Sequence, residues 1–123
     1  MFDNRIFRCD KSDFYNDEIL YSNKTHTDDS LKAIADAGFN GIWLRGRLRE
    51  LVPGKLFSPY VEKSKERLDE LCRLCQRAEK YGLGTWLYFT EPLGLTVDDP
   101  FWKDNSDIAG PLYKTGIEPP TIT

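Results

Sequence analysis

Two amphipathic stretches of this chain each run into a glycine and then directly into a short apolar segment. That alternation restricts the possible folds more than any other feature. In the first, Leu31, Ile34, Ala35 and Ala37 recur at helical spacing, Asp28, Asp29 and Ser30 offer capping oxygens in front, and Gly38 ends the run. Phe39, Ile42, Trp43 and Leu44 follow as a compact run of strand character, broken by Arg45-Gly46-Arg47. In the second, from about Glu62 to Tyr81, the spacing predicts a helix. Leu68, Leu71, Cys72, Cys75, Ala78 and Tyr81 lie on its buried face, opposite Lys65, Glu66, Asp69, Glu70, Arg73 and Lys80. Gly82 stops it, and Thr85-Trp86-Leu87-Tyr88-Phe89-Thr90 reads as a strand closed by Glu91-Pro92. An earlier segment, Glu18–Ser22, is apolar in its middle and reads as a first strand running into the polar loop before Asp28.

The connection between the second strand and the long helix contains a Pro53-Gly54 turn and Pro59, which suits the opening of a helical turn. Its apolar members Leu48, Leu51, Val52, Leu56 and Phe57 are too many for a solvated loop, so it is expected to fold against the body. Beyond Pro92, Asp98 or Asp99 caps a short helical turn at Pro100-Phe101-Trp102. The order is therefore strand, helix, strand, helix, strand, helical turn. Residues 1–109 form one expected domain, and 110–123 read as a Pro/Gly-rich tail or truncated connection.

Composition removes several function classes. With 17 basic and 20 acidic side chains the formal net charge is −3, and the chain has no dense Lys/Arg run, which argues against a nucleic-acid partner. No apolar stretch approaches the roughly 20 residues a bilayer span requires, and the first residues lack the apolar block of a secretory signal. A cytoplasmic location and no membrane partner are the expectation. Cys72-x-x-Cys75 invites a redox reading. Its position deep inside a helix, rather than at a helix N-terminus, favours small apolar core residues instead. Zinc wants four Cys or His ligands and His26 is the single histidine, so neither a metal nor another cofactor is implied. Serine-triad and Cys–His mechanisms meet the same shortage.

Strands separated by amphipathic helices imply a parallel sheet. An open doubly wound sheet usually carries a glycine-rich phosphate turn after its first strand, and none is present. The remaining expectation is an α/β fold built as a partial (β/α)8 TIM barrel, with about three parallel strands and alternating helices. A complete barrel takes about 250 residues and eight strands, so this chain reads as a portion of one. Asp36-Ala37-Gly38-Phe39-Asn40-Gly41-Ile42-Trp43-Leu44-Arg45, together with Ala78 to Pro92, resembles the opening repeats of glycoside hydrolase barrels. The resemblance covers roughly residues 15–105 and implies carbohydrate as substrate or ligand.

Barrel chemistry gathers beyond the C-terminal ends of strands. That places Tyr21 and Ser22 after the first strand, Arg45 and Arg47 after the second, and Thr90 and Glu91 after the third. Glu91 is the candidate catalytic carboxylate, its competing reading being a solvated loop residue. Arg45, Arg47, Thr90 and Trp102 are candidate substrate-binding groups. A guanidinium grips carboxylates, phosphates or vicinal hydroxyls, and an indole stacks on a sugar ring, although a salt bridge for Arg45 and rim packing for Trp102 are plainer. Trp43 and Trp86 are expected to point into the core or the helix layer. Glycoside hydrolysis needs two carboxylates about 5 to 9.5 Å apart, and only one good candidate is present. Asp98 and Asp99 are better explained as caps. The expected function is thus the N-terminal segment of a carbohydrate-acting barrel, inactive alone, with its main carboxylates on later strands. The alternatives are a non-catalytic assembling half-barrel or carbohydrate-binding module, self-associating through sheet edges, and a phosphosugar barrel using Arg45 and Arg47 as an anion clamp.

Overall fold

A computed structural model describes residues 3–10, 16–54, 61–89, 95–113 and 121–122. The chain divides into two compact units, Met1–Phe89 and Thr90–Thr123. In the first, the described elements run β1 (Ile6–Arg8), α1 (Ser22–Thr25), α2 (Asp28–Asp36), β2 (Gly41–Gly46), α3 (Leu48–Leu51), α4 (Ser64–Glu79) and β3 (Gly84–Phe89). The three strands are parallel in the order β1-β2-β3, with Phe7 opposite Ile42, Ile42 opposite Thr85 and Arg45 opposite Tyr88.

Both long helices end by the same local chemistry. At the end of α2 the Gly38 N–H donates to the Ala35 carbonyl (2.9 Å) and the Phe39 N–H to that of Ile34 (3.3 Å). At the end of α4, Gly82 donates to Glu79 (2.9 Å) and Leu83 to Ala78 (3.0 Å). This paired pattern is the Schellman motif, which needs a left-handed residue at its corner. Gly38 (φ +87°) and Gly82 (φ +70°) supply it without the penalty a Cβ would add. The residue after each glycine, Phe39 or Leu83, then turns onto the core and the chain enters a strand. At its other end α2 is capped by Thr27, whose Oγ1 accepts the Ser30 N–H (3.2 Å), rather than by Asp28, Asp29 or Ser30. Asp28 and Asp29 fall inside the first turn, where their charge suits the helix dipole.

The core is formed by Leu31 and Ile34 from α2, Ile42 and Leu44 from β2, Leu74 and Ala78 from α4, and Leu83. Ile42 and Leu44 alternate with Trp43 and Arg45, so the helices cover one face of the sheet and Trp43 belongs to the other. Trp86, opposite Trp43 in register, is 45 % exposed. The expectation that both tryptophans enter the core or the helix layer is therefore corrected. Half of β2 faces away from the helices, and β3 is an edge strand whose side chains from Trp86 to Phe89 are exposed.

The first strand is also displaced. The expected strand Glu18–Ser22 is instead a turn over Glu18–Tyr21 followed by the first residue of α1, because Asp17 diverts its backbone: the Asp17 side chain accepts the Leu20 N–H (3.0 Å) and its carbonyl the Tyr21 N–H (3.1 Å). The strand beside β2 is Ile6–Arg8 instead. It is fixed by Asn40, whose Oδ1 accepts the Arg5 N–H (2.7 Å), whose Nδ2 donates to the Asp3 carbonyl (2.6 Å), and whose backbone N–H donates to the Arg5 carbonyl (2.9 Å). The Asn40 carbonyl in turn accepts the Gly84 N–H (2.9 Å), so one residue ties the starts of all three strands.

The rotation of α4 differs from the hydrophobic pattern. Leu74 is fully buried and Glu70 is buried, while Leu68 is 43 % exposed and Cys72 and Cys75 lie on the surface. The inner face carries Arg67, Glu70 and Arg77 alongside Leu71, Leu74 and Ala78; neighbouring elements partner Arg67 and Glu70, and Arg77 Nη2 lies 3.9 Å from Glu70 Oε1 on the same helix. Ser22 Oγ donates to Glu70 Oε1 (3.2 Å), and Arg67 Nε reaches Asp17 Oδ2 at 2.7 Å. The reading of the cysteines as core residues is corrected with it.

In the second unit, β4 (Leu95–Thr96), β5 (Leu112–Tyr113) and β6 (Thr121–Ile122) form a small antiparallel sheet in the order β4-β6-β5, within a stretch where the sequence offers no periodicity. A 3-10 helix at Pro100–Lys103 is capped as expected, with Asp99 Oδ1 accepting the Phe101 N–H (2.9 Å). No described helix is long and apolar enough to cross a membrane.

Candidate functional site

Several charged side chains gather at the C-terminal end of β2. The strand continues through Arg45 to Gly46, so Arg45 belongs to the strand itself and Arg47 is the first residue beyond it. Around them stand Asp17 and Glu18 from the turn before α1, Glu50 from α3 and Arg67 from α4. Together they line a cavity of about 10 Å³, room for about one water molecule. The apolar middle of the expected first strand thus delivers polar neighbours to the end of the second.

Glu18 is the organising carboxylate. It is 4 % exposed, accepts the Arg45 N–H on Oε2 (3.0 Å), and holds Oε1 3.4 Å from Nε2 of His26, itself 1 % exposed. A carboxylate so placed fixes the backbone of β2 at its last turn of register, which sets where the Arg45 side chain leaves the strand. Arg47 Nε pairs with Glu50 Oε1 (3.2 Å), and Arg67 Nε lies 3.9 Å from Glu50 Oε2. Despite Arg47, Arg67 and Arg49, the Glu50 carboxyl is raised above its ordinary range, because the cost of burying its charge outweighs their attraction; nearby Asp17 pushes the same way.

On the sheet face away from the helices, Arg45 meets aromatic rings. Its Cζ lies 5.8 Å from the Trp43 ring centroid and 5.9 Å from that of Tyr88, and the two rings lie 5.0 Å apart at 31°. Arg8 stands over the same Trp43 ring at 5.0 Å. Neighbouring parallel strands bring these residues together by register alone: Arg8 is opposite Trp43, and Arg45 opposite Tyr88. The result is a platform of two rings edged by two guanidinium groups, suited to stacking and to planar hydrogen bonding.

The expected site residues are therefore distributed unevenly. Arg45 and Arg47 both lie at the end of β2, but Arg47 is engaged by Glu50, and Glu50 pairs with Arg47 and Arg67 instead of Arg45. Thr90 and Glu91, which follow β3 directly in sequence, lie outside the described residues. Tyr21 and Ser22 lead into α1 rather than ending a strand, and Ser22 is buried against Glu70. Trp102 sits in the second unit, half-buried, its Nε1–H donating to the Thr96 carbonyl (2.9 Å) and its ring edge-on to Phe101 at 5.2 Å. Its indole N–H is thereby committed to local packing.

Sequence reasoning missed Asp17, Glu18, His26 and Arg67. The contacts that bring them to the site, Glu18 to Arg45 and Asp17 to Arg67, span 27 and 50 residues, beyond any local pattern. The available signal was charge on the inner side of α4, which marks a helix face meeting polar partners. No group of three or more His, Cys, Asp or Glu side chains placed to hold a metal ion occurs among the described residues. Compared with protein-family models, with curated proteins and with solved structures, the chain matches none.

Proposed function

We propose that this chain supplies the first three strand–helix units of a (β/α)8 barrel that binds or acts on carbohydrate. In this reading Arg45 and its aromatic neighbours contact sugar, and the principal catalytic carboxylates stand on further strands. The observation that carries it is the Trp43–Tyr88 pair with Arg45 alongside at the C-terminal end of a parallel sheet. A sugar ring offers a face of C–H groups to an aromatic plane, for which Tyr88 is 43 % exposed, and vicinal hydroxyls that suit a guanidinium such as that of Arg45.

The fold supports the reading in three ways. The strands are parallel and spatially consecutive, as barrel units are. Parallel sheets are normally covered on both faces, whereas β3 exposes side chains of both, Trp86 and Tyr88 on one and Leu87 and Phe89 on the other, where a barrel would add its next units. A cavity of about 380 Å³ bounded by Phe7, Ile34, Ala37 and Phe39 lies beside β1 and α2, in position for a neighbouring unit to fill. Glu91, directly after β3 in sequence, would orient substrate as the first carboxylate of the site.

The test is glycan-array binding with the full chain, repeated with Arg45→Ala and Trp43→Ala. Binding that both substitutions abolish supports the proposal. A wild-type chain that is folded by circular dichroism yet binds no glycan overturns it. Hydrolysis by the chain alone would contradict the placement of the catalytic carboxylates elsewhere. The exposed β3 favours a second reading, an assembling half-barrel, and light scattering separates the two: a stable oligomer supports assembly and a monomer refutes it.

A further inference from the structure

We infer that Cys72 and Cys75 form a two-thiolate site for a soft, two-coordinate metal ion such as Cu(I). Both residues lie within α4 and both are exposed, so the thiols belong to the outer face of the helix, one turn apart. Residues three apart on a helix hold their Cβ atoms about 5–6 Å apart. A disulfide requires roughly 3.5–4.5 Å between the same atoms. Closing that gap would distort α4 around Leu74, which lies between the two cysteines and is fully buried in the core. Helical geometry therefore sets the two Cβ atoms too far apart for an easy disulfide, and an ion between the thiols relieves that mismatch.

The number of donors selects the ion. Zinc needs four ligands, and no third His, Cys, Asp or Glu joins this pair among the described residues. Asp69, one turn before Cys72, has its carboxylate engaged by Lys65 at 2.6 Å. Two thiolates alone satisfy a soft monovalent ion that accepts linear coordination. On binding, each thiol releases its proton to solvent as its sulfur bonds the ion, and no electron is transferred.

The experiment uses the full chain, reduced and free of oxygen, competing with bicinchoninate for Cu(I). The expected result is one Cu(I) withdrawn per chain, with the elution volume on size exclusion unchanged. Cys72→Ser and Cys75→Ser should each abolish the withdrawal, while Cys9→Ser leaves it intact. Iodoacetamide labelling of the wild-type chain read by mass spectrometry provides the second measurement: Cu(I) should protect Cys72 and Cys75 together and leave Cys9 reactive. A chain that withdraws no Cu(I), a Cys9→Ser variant that loses it, or one ion shared by two chains would overturn the assignment.

Discussion

The orientation of α4 can be tested by two leucine truncations on the same helix. Leu74 has no exposed surface and contributes to the core with Leu44 and Ile42, whereas Leu68 is 43 % exposed on the side the hydrophobic pattern would bury. Truncating Leu74 to alanine removes buried methyl groups and leaves a cavity, at a cost of about 3–5 kcal/mol. At Leu68 much of the side chain already meets water, and alanine is the better helix former by a few tenths, so Leu68→Ala should cost under ~1 kcal/mol. Since a domain of this size has only about 5–15 kcal/mol in hand, the first loss removes a large share of its stability and the second barely registers. Urea unfolding followed by far-UV circular dichroism reads both, with the transition slope m compared so that midpoint shifts report stability. Equal losses, or a larger loss at Leu68, would show that α4 is rotated toward the pattern read from its hydrophobic residues and would refute the packing described above.

Three further outcomes follow from named contacts. Thr27→Ala removes the Oγ1 that accepts the Ser30 N–H and should cost about 1 kcal/mol in urea unfolding, with Thr27→Ser restoring most of it. Asn40→Ala deletes two side-chain hydrogen bonds to the segment entering β1 and should cost about 1–2 kcal/mol, with faster amide exchange at Ile6–Arg8 as its local sign. Glu50 has a folded-state carboxyl raised above its ordinary value of 4.5, so the folded chain binds more protons than the unfolded one just above that pH. Its contribution to stability is therefore fully present below about pH 4.5 and declines as the pH rises through the raised value. Glu50→Gln should lose this decline, so that its urea midpoint gains on the wild type between about pH 4.5 and neutrality; a constant difference across that range would contradict the burial argument.

What could be read from residues alone was what local chemistry decides. Gly38 and Gly82 announce helix ends because only a left-handed corner completes the hydrogen-bond pattern there, and the strand after Gly82 is announced by its β-branched and aromatic content. The cap at Asp99 was legible for the same reason. What escaped was decided at long range. Ile6–Arg8 is too short to stand out and becomes a strand through Asn40, more than thirty residues later. Glu18–Ser22 has the apolar content of a strand, yet the Asp17 carboxylate turns it into the entry of a helix. In α4 the pattern failed because hydrophobic periodicity assumes a buried face is apolar, while Glu70 and Arg67 are accepted inward by Ser22 and Asp17. Arg45 was read as lying by a strand end, which it does, but the Glu18 contact that orients its backbone was not legible.

The parallel sheet gives these contacts a common logic. Because all three strands point the same way, their starts lie at one end and their finishes at the other, and each end can be specialised separately. Asn40 gathers the starts with hydrogen bonds that carry no chemistry beyond holding register. At the finish of β2, Glu18 holds the backbone of Arg45 while the guanidinium lies against rings from two strands. A polar side chain that fixes register must bond backbone and stay put. Glu18 does this from a buried position, and the pairs of Arg47 with Glu50 and of Arg67 with Asp17 stand at the same end of the sheet, each charge offset where burial would otherwise penalise it.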